Sequence, residues 1–248
     1  MLSKDNIQDI YALAPMQEGM LVHYAKSPES TAYVEQFDFS LQGQVDAEAL
    51  EQSFQALVNK YGVLRTIFSF NKTDKPRQVV LKTRDITLHH VQYNTPFETT
   101  HFESVKSEDR AKGFDLSRDL LLRATLVRYA DQTRLVVCFH HIILDGWCLG
   151  ILFADLFQYY QARVQGQTLP VDREAQGYGQ YIRFLVEQDM DAAEHYWRDY
   201  LQGYEQAVGV PYFDMPAGKE CGPADFSFSL GNALTESLRR VAQSSQIT

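Results

Sequence analysis

The chain is predicted to be an α+β protein, and three observations carry that prediction. Residues 121–129 and 134–139 are apolar segments joined by Ala130-Asp-Gln-Thr133, which reads as an antiparallel strand pair. The second segment shows no polar alternation from Leu135 to Phe139, so it is expected to be covered on both faces. Shortly after it, residues 149–164 place Leu149, Leu152, Phe153, Leu156, Tyr160 and Val164 on one helical face, with Asp155, Gln158 and Gln161 off it.

The remaining elements follow in order. A first helix is expected over 15–26, with Pro15 in its opening turn. A strand with Tyr33, Phe37 and Phe39 follows over 32–41. Asp46 has the side chain of a helix cap, and Leu50, Phe54, Leu57 and Val58 keep helical spacing up to Lys60. Gly62 closes that helix, and 63–70 reads as a strand. Residues 76–82 and 86–93 read as short strands, paired as a hairpin across Thr83-Arg-Asp85. A polar helix over 99–112 is closed by Gly113. Helices are expected over 178–188 and 192–201, a Gly- and Pro-containing linker over 203–224, a strand-like run over 226–230 and a helix over 232–243. The end at Thr248 carries neither turn signal nor polar tail, and reads as a cut inside a larger protein.

Composition narrows the function. A chain of 248 residues can bury a large core and is near the size at which one core divides. With 23 Lys+Arg against 32 Asp+Glu, the formal charge of -9 disfavours a nucleic-acid binder, which needs a basic surface to release phosphate counterions. Cys138, Cys148 and Cys221 form no metal-spaced pair and read as reduced cytosolic thiols. No secretory h-region opens the chain, and no apolar run approaches the ~18 residues of a membrane span. The expectation is a soluble, cytoplasmic protein with no membrane partner.

The chemistry concentrates where the buried strand ends, at His140-His141-Ile-Ile-Leu-Asp145-Gly146-Trp147. Neighbouring residues of a strand point to opposite faces, so one histidine should face a cleft while the other packs in the scaffold. One metal ion would need both imidazoles to converge, and Cys138 with these residues matches no zinc spacing, so no metal is expected. A plain alternative is that both histidines are satisfied core residues. A cleft histidine suits a general base, because its ordinary pKa of about 6.5 leaves it mostly neutral in the cytosol. Asp145 could orient that base, or pair with a cation and hold the loop. No GxSxG elbow, phosphate loop or dinucleotide fingerprint supplies a nucleophile or nucleotide, which suggests transfer between two bound substrates.

At these residues the sequence resembles the HHxxxDG signature of nonribosomal peptide synthetase condensation domains, relatives of chloramphenicol acetyltransferase. Leu13-Ala-Pro-Met-Gln17-Glu-Gly-Met-Leu-Val-His23 resembles the family's first motif, and Tyr61-Gly-Val-Leu-Arg65-Thr-Ile-Phe68 its second. Tyr178-Gly-Gln-Tyr-Ile-Arg-Phe184 is similar to the fourth, and Tyr196-Trp-Arg-Asp-Tyr-Leu-Gln-Gly203 is also familiar there.

The resemblance implies a two-lobed, V-shaped acetyltransferase-like fold with the active site between the lobes. This chain would hold a docking-like segment over 1–12, the N-terminal lobe over 13–202, and a linker with the start of the C-terminal lobe over 203–248. The implied reaction is amide formation: the amine of a carrier-bound aminoacyl acceptor attacks a carrier-bound aminoacyl or peptidyl thioester. Both substrates would be tethered to 4'-phosphopantetheine, with no intrinsic cofactor. His141 is implied as the catalytic histidine, acting as base or positioning the amine. His140 and Asp145 would be structural, with Asp145 paired to Arg65. Gly146 would let backbone approach the substrate, and Trp147 would pack.

The Met16-Gln-Glu-Gly-Met20 run is similar to the form that takes a D-configured donor and an L-configured acceptor. Implied partners are upstream donor and downstream acceptor peptidyl carrier proteins and a downstream adenylation domain. Met1 directly before Ile7-Gln-Asp-Ile-Tyr11 also implies an upstream synthetase that docks there. Alternatives are an epimerisation domain, or a non-catalytic carrier-docking piece, since the second lobe is incomplete.

Overall fold

The computed structural model describes residues 4–70, 75–167, 177–205 and 228–247. Its contacts divide the chain into two compact units, Met1–Met190 and Asp191–Thr248.

The first unit holds two sheets. β1 (Ile7–Tyr11), β4 (Arg77–Leu81) and β3 (Thr66–Ser69) form an antiparallel sheet in the order β1-β4-β3. β2 (Val34–Leu41), β7 (Thr133–His140), β6 (Leu122–Arg128) and β5 (Leu88–Gln92) form the second, in the order β2-β7-β6-β5. β7 is antiparallel to both neighbours, while β5 runs parallel to β6. β7 is buried from Leu135 to His140, as its unbroken apolar run required. Leu135, Val137 and Phe139 join the main core with α2 (Ala47–Lys60) and α4 (Gly146–Val164). Val136, one residue out of step, packs with Val127, Tyr129 and Phe102 of α3 (Thr99–Ala111). That period of two places helices on both faces of the strand.

Local chemistry fixes the helix starts. Asp46 accepts from Ala49 N at 3.0 Å and caps α2, whose Leu50, Phe54 and Leu57 are buried on one face. Each such side chain, fully buried, contributes about 1.5–3 kcal/mol. α1 (Pro15–Lys26) opens on Pro15, with Gln17 Oε1 accepting from Ala14 N at 2.9 Å. α4 begins three residues earlier than its apolar face announces, because Asp145 caps it by accepting from Cys148 N at 3.1 Å. Its buried face is Leu152, Leu156, Tyr159 and Ala162, while Val164 is exposed. α5 (Tyr178–Val186) completes the unit. An added Cβ on its Gly179 would lie 2.5 Å from Tyr11 Cζ, so the Tyr11 ring lies directly against the glycine and would have to move for a larger residue.

Several expectations are corrected. Residues 63–70 are not one strand: Gly62–Arg65 is a 3-10 turn and β3 starts at Thr66. The tight turn lets the Arg65 guanidinium reach back to the end of α2, where Val58 O and Asn59 O accept from it. β4 and β5 are not a hairpin, since they lie in different sheets. Asn6 holds Lys82 N and Thr83 N, then Gln55 and Glu51 of α2 hold Ile86 N and Leu88 N, so this stretch crosses between sheets instead of turning back.

The second unit contains α6 (Met190–Tyr200) and α7 (Asn232–Ser245), with Trp197, Tyr200, Leu234, Leu238 and Val241 exposed. Most of the expected linker, Cys221, Phe226 and Ser227 lie outside the described residues. Phe228–Leu230 shows no regular structure. No helix among the described residues is long and apolar enough to cross a membrane.

Candidate active site

The site lies where β7 ends. His140 is the last residue of the strand and is 5% exposed, and His141 opens the turn that leads to α4. Backbone bonds from His140 N to Leu121 O (3.1 Å) and from His141 N to Tyr33 O (2.8 Å) fasten the pair to the chain on either side. His140 Nδ1 accepts from Ile142 N at 3.1 Å. Burial, and after it the neighbouring His141, push the His140 pKa down to about 4, so the ring is a neutral acceptor.

His141 instead lines an apolar cleft of about 720 Å³. Its walls come from the start of α1 (Met16, Met20), the turn after α2 (Val63, Leu64), the Ile142–Leu144 stretch, α4 (Ile151, Leu152) and α5 (Tyr181, Leu185). His141 Nδ1 is buried and has no hydrogen-bond partner among the described residues. No bond at Nδ1 fixes the tautomer of the imidazole.

Asp145 sits at the mouth of this cleft. The Cys148 thiol, and beyond it the Cys148 and Trp147 backbone N–H groups, hold its carboxyl below the usual range. Tyr178 stands close by, and its hydroxyl is pushed up to about 12, first by burial and then by Tyr181, Asp145 and Cys148. Tyr61 is likewise raised to about 12 by burial and by its 2.6 Å bond to Asp155, which also pairs with Lys60 at 2.5 Å. Both phenols are therefore protonated donors at neutral pH. A second, more polar cleft of about 610 Å³ shares Val63 and Tyr178 with the first and is lined by Arg65.

The sequence-predicted residues fare unequally. His140, His141, Asp145 and Gly146 are brought together at the β7–α4 corner. A Cβ on Gly146 would meet no atom within 4 Å, so protein packing among the described residues does not demand glycine there. Arg65 and Asp145 do not form the implied ion pair. Arg65, 2% exposed, donates to Leu81 O (2.9 Å), Asn59 O (2.7 Å), Val58 O and Gln8 Oε1 (3.1 Å), because the C-terminal carbonyls of α2 attract a cation. Asp145 is engaged by the start of α4. Trp147 does not pack: it is 90% exposed, about 140° around α4 from Leu152 on the buried face. Among the described residues no three His, Cys, Asp or Glu side chains converge as metal ligands would. Cys138 is buried, its thiol raised to about 12 by burial, and it takes a contact from Arg123 at 3.7 Å, so it is inert scaffold. Sequence reasoning assigned no role to Gln17, Gln78 or Tyr178. Gln17 and Tyr178 fall inside recognised motifs, whereas Gln78 carries no local signal.

Comparison with known proteins fits this geometry. A family model described as "Condensation domain" matches residues 7–248. This chain belongs to the condensation-domain family. It is 37% identical to Bacitracin synthase 1 of Bacillus licheniformis, covering 98% of this chain and 5% of that protein. It is also 37% identical to Surfactin synthase subunit 2 of Bacillus subtilis (strain 168), covering 100% of this chain and 7% of that one. The condensation-domain chain is thus a small part of the length of these relatives. Among solved structures it is similar to the starter condensation domain of the rhizomide synthetase RzmA, with TM-score 0.70 and 18% identity, covering 80% of this chain and 49% of that chain. It is also similar to a four-domain nonribosomal peptide synthetase, with TM-score 0.74 and 17% identity, covering 98% of this chain and 18% of that chain. An epimerization domain of tyrocidine synthetase B matches with TM-score 0.71 and 17% identity, covering 87% of this chain and 50% of that one. At these identities the likeness shows the fold: the α+β, acetyltransferase-like N-terminal lobe of a condensation domain.

Proposed function

We propose that this condensation-domain chain supplies the histidine-bearing half of a site that joins two carrier-bound substrates by an amide bond. The observation that carries the reading is the division of labour at the end of β7: His140 is buried and bonded, while His141 opens onto the cleft. The acceptor amine attacks the donor thioester carbonyl, an N–C bond forms, and the C–S bond breaks. The thiol of the donor's phosphopantetheine arm leaves, and the amine gives up a proton. His141 removes that proton or orients the amine, within walls whose apolar side chains exclude water. Asp145, Gly146 and the α4 start shape the mouth. Tyr178 adds a neutral O–H donor there.

The partners in this reading are donor and acceptor peptidyl carrier proteins, an adenylation domain of the same synthetase, and an upstream synthetase that meets residues 1–12. The Met16-Gln-Glu-Gly-Met20 run supports a D-configured donor and an L-configured acceptor. That run also weighs against epimerisation, since it belongs to domains that receive a D-residue rather than make one. The test supplies D- and L-donor thioesters and an aminoacyl carrier to the complete domain, with and without His141→Ala. The variant is expected to lose at least about 100-fold in amide formation, and the D-donor to be preferred. Undiminished product from the variant would end the catalytic reading. Carrier binding without turnover in the complete domain would favour a docking role.

A further inference from the structure

We infer that Gln17, backed by Gln78, is a positioning residue that sets the orientation of His141; the inference rests on the catalytic reading of that histidine. The geometry is a clamp made from three distant parts of the chain. Gln17 Nε2 donates to Ile142 O at 3.1 Å across 125 residues of sequence. Gln17 Oε1 accepts from Ala14 N at 2.9 Å and from Gln78 Nε2 at 3.2 Å. Gln78 Nε2 is itself anchored on Ala12 O at 2.8 Å. The start of α1, the strand β4 and the histidine turn are thereby tied at one point.

The bonds converge on the two peptides that follow His141. The Ile142 N–H donates to His140 Nδ1 at 3.1 Å, and the Ile143 N–H to His140 O at 3.2 Å. Gln17 supplies the bond to the Ile142 carbonyl. With His141 N on Tyr33 O, the backbone is held on both sides of the His141 Cα. The imidazole, whose Nδ1 has no partner among the described residues, depends for its aim on the backbone and the cleft walls.

The cost of this arrangement argues that it does something apolar packing would not. Gln17 is 5% exposed and lines the cleft beside Met20, Leu64, Ile142 and Leu144, while Gln78, 1% exposed, stands behind it and borders the second cleft. Burying an amide is unfavourable unless every bond is made, and a fully satisfied network specifies one geometry where aliphatic side chains would tolerate several. Gln17 borders the cleft, but its amide bonds are directed into the scaffold. It therefore acts through the turn and not by touching substrate.

Gln17→Glu removes the donor to Ile142 O and keeps an acceptor for Ala14 N and Gln78. In protein labelled with 13C at the histidine Cε1, the His141 resonance, assigned by its loss in His141→Gln, is expected to shift or split. The resonances of His23, His89 and His195 should stay in place. In the complete domain, kcat for amide formation is expected to fall at least about tenfold with KM within about twofold. A folded Gln17→Glu protein with an unmoved His141 resonance overturns the inference. Should that variant fail to fold, the unmodified protein decides: slow hydrogen exchange of the Gln17 and Gln78 side-chain amides supports the clamp, and exchange at the rate of exposed glutamines overturns it. If His141→Ala leaves amide formation intact, the catalytic reading fails. An unmoved His141 resonance in Gln17→Glu removes only the positioning role.

Discussion

The wall behind the cleft and the rim around it are built from the same short stretches of chain, yet they obey different rules. In the wall, His140, Gln17, Gln78 and Arg65 are buried and bonded to backbone carbonyls or amides. On the rim, Met16 and Ile151 expose large apolar side chains, as Trp147 does at the start of α4, and Asp145 caps the first turn of that helix. His140 and His141 are adjacent in sequence and fall on opposite sides of this divide. The contrast teaches that the polar residues of the motif region do two jobs. Those in the wall fix shape. Those at the rim are left available to whatever enters.

If that contrast is right, wall substitutions should act on stability and rim substitutions should barely register in it. Arg65→Leu should be the most damaging, at about 3 kcal/mol in urea unfolding, because it strands several buried carbonyls at once. A loss under about 1 kcal/mol would mean that Arg65 is not holding the end of α2. Next comes a pH effect specific to His140. Its folded pKa of about 4 lies below the ordinary 6.5, so as pH falls the unfolded chain takes the proton first. Its stabilising contribution is complete above pH 6.5 and is lost as pH falls from there to about 4, at up to about 1.4 kcal/mol per pH unit. Comparing unfolding of the parent chain with His140→Gln across that window isolates it; parallel pH curves would refute the burial argument.

At the rim the effects shrink. Asp145→Ala removes the α4 cap and should cost about 1 kcal/mol, far from the penalty of orphaning a buried arginine. A larger loss would reopen a link between Asp145 and Arg65. Trp147→Ala should move the unfolding midpoint by less than the equivalent of about 0.5 kcal/mol. A clear destabilisation would place Trp147 in a packed environment after all.

Much of this was legible in the sequence where the signal is local. The unbroken apolar run of β7, the Asp46 cap and the amphipathic face of α4 each dictate their element without help from distant residues. Strand alternation was the reason to expect the two histidines to differ, but β7 ends at His140 and His141 already lies in the turn. What escaped was set by long-range choices. An apolar run from Val63 suits a buried turn as well as a buried strand, and only the fold shows the turn, from which Arg65 reaches back to α2. β4 and β5 have strand character, but Asn6, Gln55 and Glu51 decide which sheet each joins. Gln78 looks like an ordinary polar strand residue until Gln17, 61 residues away, is placed against it. The Arg65–Asp145 pair was implied by resemblance alone, and the helix ends nearest each group claim them instead.

The division between the two histidines is tested most directly by urea unfolding of His140→Ala and His141→Ala side by side. The account predicts a loss of about 2–3 kcal/mol for His140→Ala, which empties a buried site and strands the Ile142 N–H. It predicts less than about 1 kcal/mol for His141→Ala, whose Nδ1 bonds to nothing among the described residues. Equal losses, or the reverse order, would contradict it.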